Sequence, residues 1–123
     1  MILVVDDTPA NLKLAAFLLT RAGFQVRTAL HATEARAAVR DTPPALILMD
    51  LQLPEVDGFA LTAEFKRDPA LAGVPIVAMT AYAMAGDDQR AREAGCDRYL
   101  TKPIDPLTFA ERIRSYLPPP RPQ

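Results

Sequence analysis

The chain has 123 residues, half of them apolar, which is about one domain's worth of sequence and excludes a disordered polymer. Fourteen basic against fifteen acidic residues leave a net charge of −1, with no basic stripe of the kind that binds nucleic acid. Cys96 is the only cysteine, which excludes an intramolecular disulfide or a cysteine metal cluster, and no apolar stretch approaches the length that spans a bilayer. Strand-forming residues begin at position 2 with no signal-like segment before them, so the expectation is a soluble, cytoplasmic protein.

Ile2 to Val5 predicts a first strand, running into Asp6-Asp7. Asp7-Thr8-Pro9 then supplies a helix start, and Leu12, Ala15, Ala16 and Leu19 recur at helical spacing until Gly23 stops the helix. Phe24 to Ala29 predicts a second strand, and Thr33 to Arg40 a short alanine-rich helix ended by Pro43-Pro44. The third strand, Ala45 to Met49, is wholly apolar and so central, and it delivers Asp50. Pro54 and Asp57-Gly58 shape the next loop, with Asp57 as the cap of a helix through about Arg67. Pro75 to Met79 is a fourth strand ending at Thr80, and Asp87 to Ala94 a fourth helix stopped by Gly95. That helix offers the sheet little beyond Met84, Ala91 and Ala94, the weak anchorage of a moving part. Arg98 to Leu100 leads into Lys102-Pro103, and Leu107, Ala110, Ile113 and Leu117 mark the core face of a last helix. The residues divide into a domain over 1–117 and an extended proline-rich tail over 118–123.

Five repeats of strand then helix predict a three-layer α/β sandwich around a parallel sheet. Ligands of such sheets bind outside the carboxyl ends of the strands. Asp6, Asp7, Asp50, Thr80 and Lys102 therefore converge on one crevice. Three carboxylates so close repel one another, and a divalent cation resolves the repulsion. Oxygen-only ligands suit Mg²⁺, which keeps waters that a phosphoryl oxygen replaces. A carboxylate also accepts a phosphoryl group, which makes Asp50 a candidate nucleophile with Lys102 as the neutralising point charge and Thr80 as a hydrogen-bond donor. Taken singly, each residue has a plainer reading: helix capping for Asp6-Asp7, a turn for Asp50, a solvated lysine for Lys102. Their joint placement at four strand ends favours chemistry. His31 is expected to be solvated, Cys96 to be a small packing residue, and Asp87-Asp88 to be a charged helix start.

The acidic pair Asp6-Asp7, Asp50 within MDLQLPEVDG, Thr80-Ala81 and Lys102-Pro103 resemble, in order and spacing, the pattern of two-component response-regulator receiver domains. The resemblance runs from Ile2 to about Leu117. TAYAM-GD, GCDRYLTKPID and Asn11 look most like single-domain relay regulators of the cell-cycle type and receivers of hybrid kinases. It implies a flavodoxin-like fold with strand order 2-1-3-4-5 and five helices. It implies Asp50 as phosphoacceptor and Mg²⁺ ligand, Asp7 as a direct Mg²⁺ ligand, Asp6 acting through water, and the Gln52 backbone carbonyl completing the metal shell. Tyr99 falls on the switch aromatic that follows the Thr80 hydroxyl, and the Lys102-Pro103 bond is expected to be cis. Gln52 and Tyr82 occupy positions that tune phosphate lifetime, so the lifetime stays open. The implied donor is a histidine kinase or histidine phosphotransfer protein. The implied output is a protein target on the surface of the fourth helix, fifth strand and fifth helix, with no nucleic-acid or membrane partner and a monomeric or weakly dimeric state. A Mg²⁺-dependent phosphohydrolase would need a cap domain and an aspartate two residues after Asp50, where Gln52 stands. A flavin-binding electron carrier would need a Ser/Thr/Gly-rich phosphate loop in place of two carboxylates.

Overall fold

The computed structural model describes residues 1–51, 53, 58–80, 87–101 and 104–117. In chain order these form β1 (Ile2–Val5), α1 (Pro9–Arg21), β2 (Val26–Ala29), α2 (Ala32–Asp41), β3 (Leu46–Asp50), α3 (Gly58–Arg67), a 3₁₀ turn (Pro69–Leu71), β4 (Ile76–Thr80), α4 (Asp87–Ala94), β5 (Arg98–Thr101) and α5 (Phe109–Tyr116). All strand pairs are parallel and the sheet order is β2-β1-β3-β4-β5. The fold and the strand order expected from the resemblance are thus borne out.

Every residue of β1, β3 and β4 is buried, because helices cover both faces of the sheet. Alternate side chains go to opposite layers. Leu3, Val5, Ile47, Met49 and Ile76 pack with Ala35 and Val39 of α2, Leu61 and Phe65 of α3 and Ala91 of α4. Ile2, Val4, Leu46, Leu48 and Met79 pack with Leu12 and Leu19 of α1 and Phe109 and Ile113 of α5. The edge strands, VRTA and RYLT, are only partly covered, and the charge each carries guards the open edge.

Two expected elements shift. β2 begins at Val26 because Phe24 belongs to the end of α1: its N–H donates to Leu19 O at 3.0 Å, across Gly23 at φ 99°. Leu107 is 91% exposed and lies before α5, so it is no part of the core face. The Asp105 carboxylate accepts from Leu107 N at 3.0 Å and the Asp105 carbonyl from Phe109 N at 3.0 Å, which turns the chain before the helix begins. Phe109 and Ile113, four apart, are the buried pair, with Tyr116 and Leu117 packed against them. His31, expected to be solvated, is half exposed and caps α2: its Nδ1 accepts from Glu34 N at 3.3 Å, while Glu34 Oε1 accepts from Leu30 N at 2.8 Å.

Ion pairs tie the helices together. Arg36 of α2 grips Glu64 of α3 through two bonds, of 2.8 and 2.9 Å, and this hydrogen-bonded guanidinium holds the Glu64 carboxyl below its usual range. A depressed carboxylate stabilises the fold above its unfolded titration range and loses that contribution as pH falls through the folded one. The stability gap between parent and Glu64→Gln should therefore be small but measurable at neutral pH and vanish in acid, as denaturant titrations at graded pH would test. Asp97 links three elements: its Oδ2 accepts from Lys66 Nζ at 2.6 Å and from Ile76 N at 2.8 Å.

Candidate functional site

The chain enters the sheet at β1, passes outward to β2 and returns to β3, so strand order reverses beside β1. Such a switch point opens a crevice at the carboxyl ends of the flanking strands. The Val5–Met49 pairing, extended one step, sets Asp6 level with Asp50, the last residue of β3. Asp50 in turn pairs with Met79, which puts Thr80 one residue beyond it at the end of β4.

The sequence thus brings Asp6, Asp7 and Asp50 together, with a carboxylate oxygen from each lying within 4.8 Å of the others. Asp6 and Asp50 are 1% and 2% exposed, whereas Asp7 faces solvent. At this spacing each ionised pair repels by on the order of 4 kcal/mol at an effective dielectric near 20. A cluster of this composition can hold a hard divalent cation, which offsets the repulsion. The two members of the acidic pair differ in their local duty. Asp6 Oδ1 accepts from Thr8 N at 2.9 Å and so shapes the turn into α1, where Thr8 makes no side-chain cap of its own. The capping explanation of the acidic pair therefore holds in part for Asp6, alongside its place in the cluster.

Thr80 is 2% exposed and pairs with Thr101 on β5. Tyr99, on β5, is half-buried and packs on the layer that includes Ala91 of α4. Asn11 is half-buried in the first turn of α1. Gln52, Ala81, Tyr82, Met84, Lys102 and Pro103 lie outside the described residues, so the Lys102 position, the Lys102-Pro103 bond geometry and the Gln52 carbonyl remain expectations; so does the tail over 118–123, while Asp57, the expected cap of α3, is outside them as well. Cys96 is 7% exposed beside Thr62, and burial pushes its thiol pKa up, as suits a packing residue that carries little thiolate. No helix among the described residues is long and apolar enough to cross a membrane.

The model of the response regulator receiver domain family matches residues 2–114. Among curated relatives, the polar-differentiation response regulators DivK of Brucella anthropi and Brucella ovis are each 41% identical over 116 residues, covering 94% of this chain and 94% of theirs. The fold is similar to that of the Vibrio cholerae chemotaxis protein CheY4, with a TM-score of 0.89 and 25% identity over 94% of this chain and 97% of that one. A CheY-like response regulator receiver domain protein from Methanospirillum hungatei gives a TM-score of 0.83 at 31% identity, covering 93% and 90%. A match over almost the whole chain, on the fold and strand order that bring three carboxylates to one switch point, places this chain in the response-regulator receiver domain family, the signalling domains of two-component systems.

Proposed function

We propose that this receiver takes a phosphoryl group from the phosphohistidine of a histidine kinase or phosphotransfer protein onto Asp50, and signals through a changed protein-binding surface. The observation that carries the proposal is the meeting of three carboxylates at the switch point, with buried Asp50 at the end of a central strand. An Asp50 carboxylate oxygen attacks phosphorus, the phosphorus–nitrogen bond to the imidazole breaks, and its electron pair stays on the nitrogen, leaving an acyl phosphate on the protein. Mg²⁺, when bound, supplies charge neutralisation for the incoming phosphoryl oxygens. Asp7 and Asp50 would hold it directly and Asp6 through water, with the Gln52 carbonyl completing the shell. Lys102 neutralises the remaining phosphoryl charge, and the Thr80 hydroxyl donates to a phosphoryl oxygen. Intact mass after incubation with acetyl phosphate and Mg²⁺ tests this reading: one added phosphoryl group supports it, and an unchanged mass removes it.

The division of labour in the acidic pair has a physical basis. Asp6 is buried with one oxygen already accepting from Thr8 N, whereas Asp7 is exposed to incoming metal. Calorimetric titration with Mg²⁺ should therefore show a larger loss of affinity for Asp7→Asn than for Asp6→Asn. The opposite order would reverse the assignment.

The output surface is proposed on α4, β5 and α5. In support, a groove of about 410 Å³ lies between α4 and β5, lined by Ala91, Arg92, Cys96, Arg98 and Tyr99. The single large-scale unit over 1–117 carries both site and surface, and the protein works in the cytoplasm, where kinases and their targets meet it.

A further inference from the structure

We infer that Gly58 is a positioning residue for the Asp50 carboxylate, acting through the Asp50-Leu51 main chain; the inference rests on the reading of Asp50 as phosphoacceptor. Gly58 opens α3, and its N–H donates to Leu51 O at 3.3 Å. A Cβ built on Gly58 would fall inside van der Waals contact of the Asp50 carbonyl oxygen, 2.6 Å from Leu51 Cα and 2.9 Å from the Leu51 carbonyl carbon. All three are main-chain atoms, so no side-chain rotation relieves the clash. Gly23, by contrast, has open space around its Cβ position and a φ of 99°. It is needed for its conformation, whereas Gly58 is not among the positive-φ glycines and is needed for its size.

The contact is held from both sides. Leu51 N donates to Met79 O at 3.0 Å, which fixes the far side of the Asp50-Leu51 peptide to β4. The next residue of α3, Phe59, lies under the Arg90 guanidinium of α4, 4.2 Å from ring centroid to charge, which resists retreat of the helix end. Alanine is ordinarily the better helix former. Here the added methyl instead pushes on the peptide that carries the acceptor, and a displacement near 1 Å costs positioned chemistry roughly ten- to hundredfold.

The test compares the parent with Gly58→Ala and with Ile113→Val and Ile113→Ala, core changes on α5 that grade stability without touching Asp50. Three quantities are measured: amide shifts of the metal-free proteins, Mg²⁺ affinity by calorimetry, and the rate of labelling by acetyl phosphate from intact mass. Gly58→Ala should move the Asp50 and Leu51 amides, weaken Mg²⁺ binding about tenfold or more, and slow labelling by a comparable factor. An Ile113 variant of equal thermal stability should keep parental Mg²⁺ affinity. Parental affinity in Gly58→Ala overturns the inference, as does an equal loss in the stability-matched variant. Failure of Gly58→Ala to fold overturns it too, since the glycine would then serve the fold and not the site. If the parent takes no phosphate, the acceptor reading falls, while the difference in Mg²⁺ affinity still decides the role of Gly58.

Discussion

Asp50→Asn is expected to abolish the gain of a phosphoryl group from acetyl phosphate and, at the same time, to make the metal-free protein more stable. The first effect follows from chemistry: a carboxamide oxygen lacks the charge and nucleophilicity of a carboxylate, and Asp50 is the proposed acceptor. The second follows from electrostatics. Asp6 and Asp50 are both buried and both lie within 4.8 Å of Asp7. Pairs at this spacing repel by roughly 1 kcal/mol in water and about 4 kcal/mol at an effective dielectric of 20, so removing one charge should stabilise the fold by on the order of 1–3 kcal/mol. Mg²⁺ should raise the Tm of the parent by mass action and raise that of Asp50→Asn much less. Intact mass and thermal unfolding with and without Mg²⁺ measure all three. Full labelling of the variant would move the acceptor elsewhere, and a lower metal-free Tm would mean that the cluster is not under repulsion.

The stability cost expected of a buried acidic cluster is also what makes it legible in the sequence. Polar residues directly after unbroken apolar runs are expensive unless something uses them, and Asp6, Asp50 and Thr80 all end or follow strands whose every residue is buried. The same burial made β1, β3 and β4 easy to find. The edge strands give weaker signals, and the expected β2 starts two residues early because Phe24 is apolar whether it starts a strand or closes a helix. The phase of α5 failed for a related reason. Leu107 fits an apolar repeat by type, but the Asp105 turn ahead of the helix leaves it in solvent and hands the core to Phe109. Pattern counts residues, whereas capping depends on which donor finds which acceptor. Asp97 illustrates the limit: its two partners, Lys66 and Ile76, lie 31 and 21 residues away. Gly58 was visible as a turn residue after Asp57, yet its closeness to Asp50 could emerge only from the fold.

Thr80→Ala should still accept phosphate but lose most of the structural response to it. A phosphoryl group adds dianionic charge and strong acceptor oxygens at Asp50. Thr80, at the end of the adjacent strand and 2% exposed, brings a hydroxyl one residue beyond the Asp50 pairing position. In the proposed coupling that hydroxyl, drawn toward the phosphoryl group, would vacate space on the side of the sheet covered by α4. Among the described residues α4 commits one buried side chain to the core, the small Ala91, so little resists its displacement. Tyr99, half-buried in the same layer, can then turn inward, and the groove between α4 and β5 changes shape. Phosphorylation shifts such an equilibrium only by the difference in stabilisation between its two states. In the proposed coupling the Thr80 hydroxyl would carry that difference from Asp50 to α4, and a methyl in its place would carry none. Amide NMR of Thr80→Ala with and without beryllofluoride is the measurement. Shifts near Asp50 should match those of the parent, and shifts around Ala91 and Tyr99 should largely disappear; parent-sized shifts at those two residues would show that the signal leaves the site by another route.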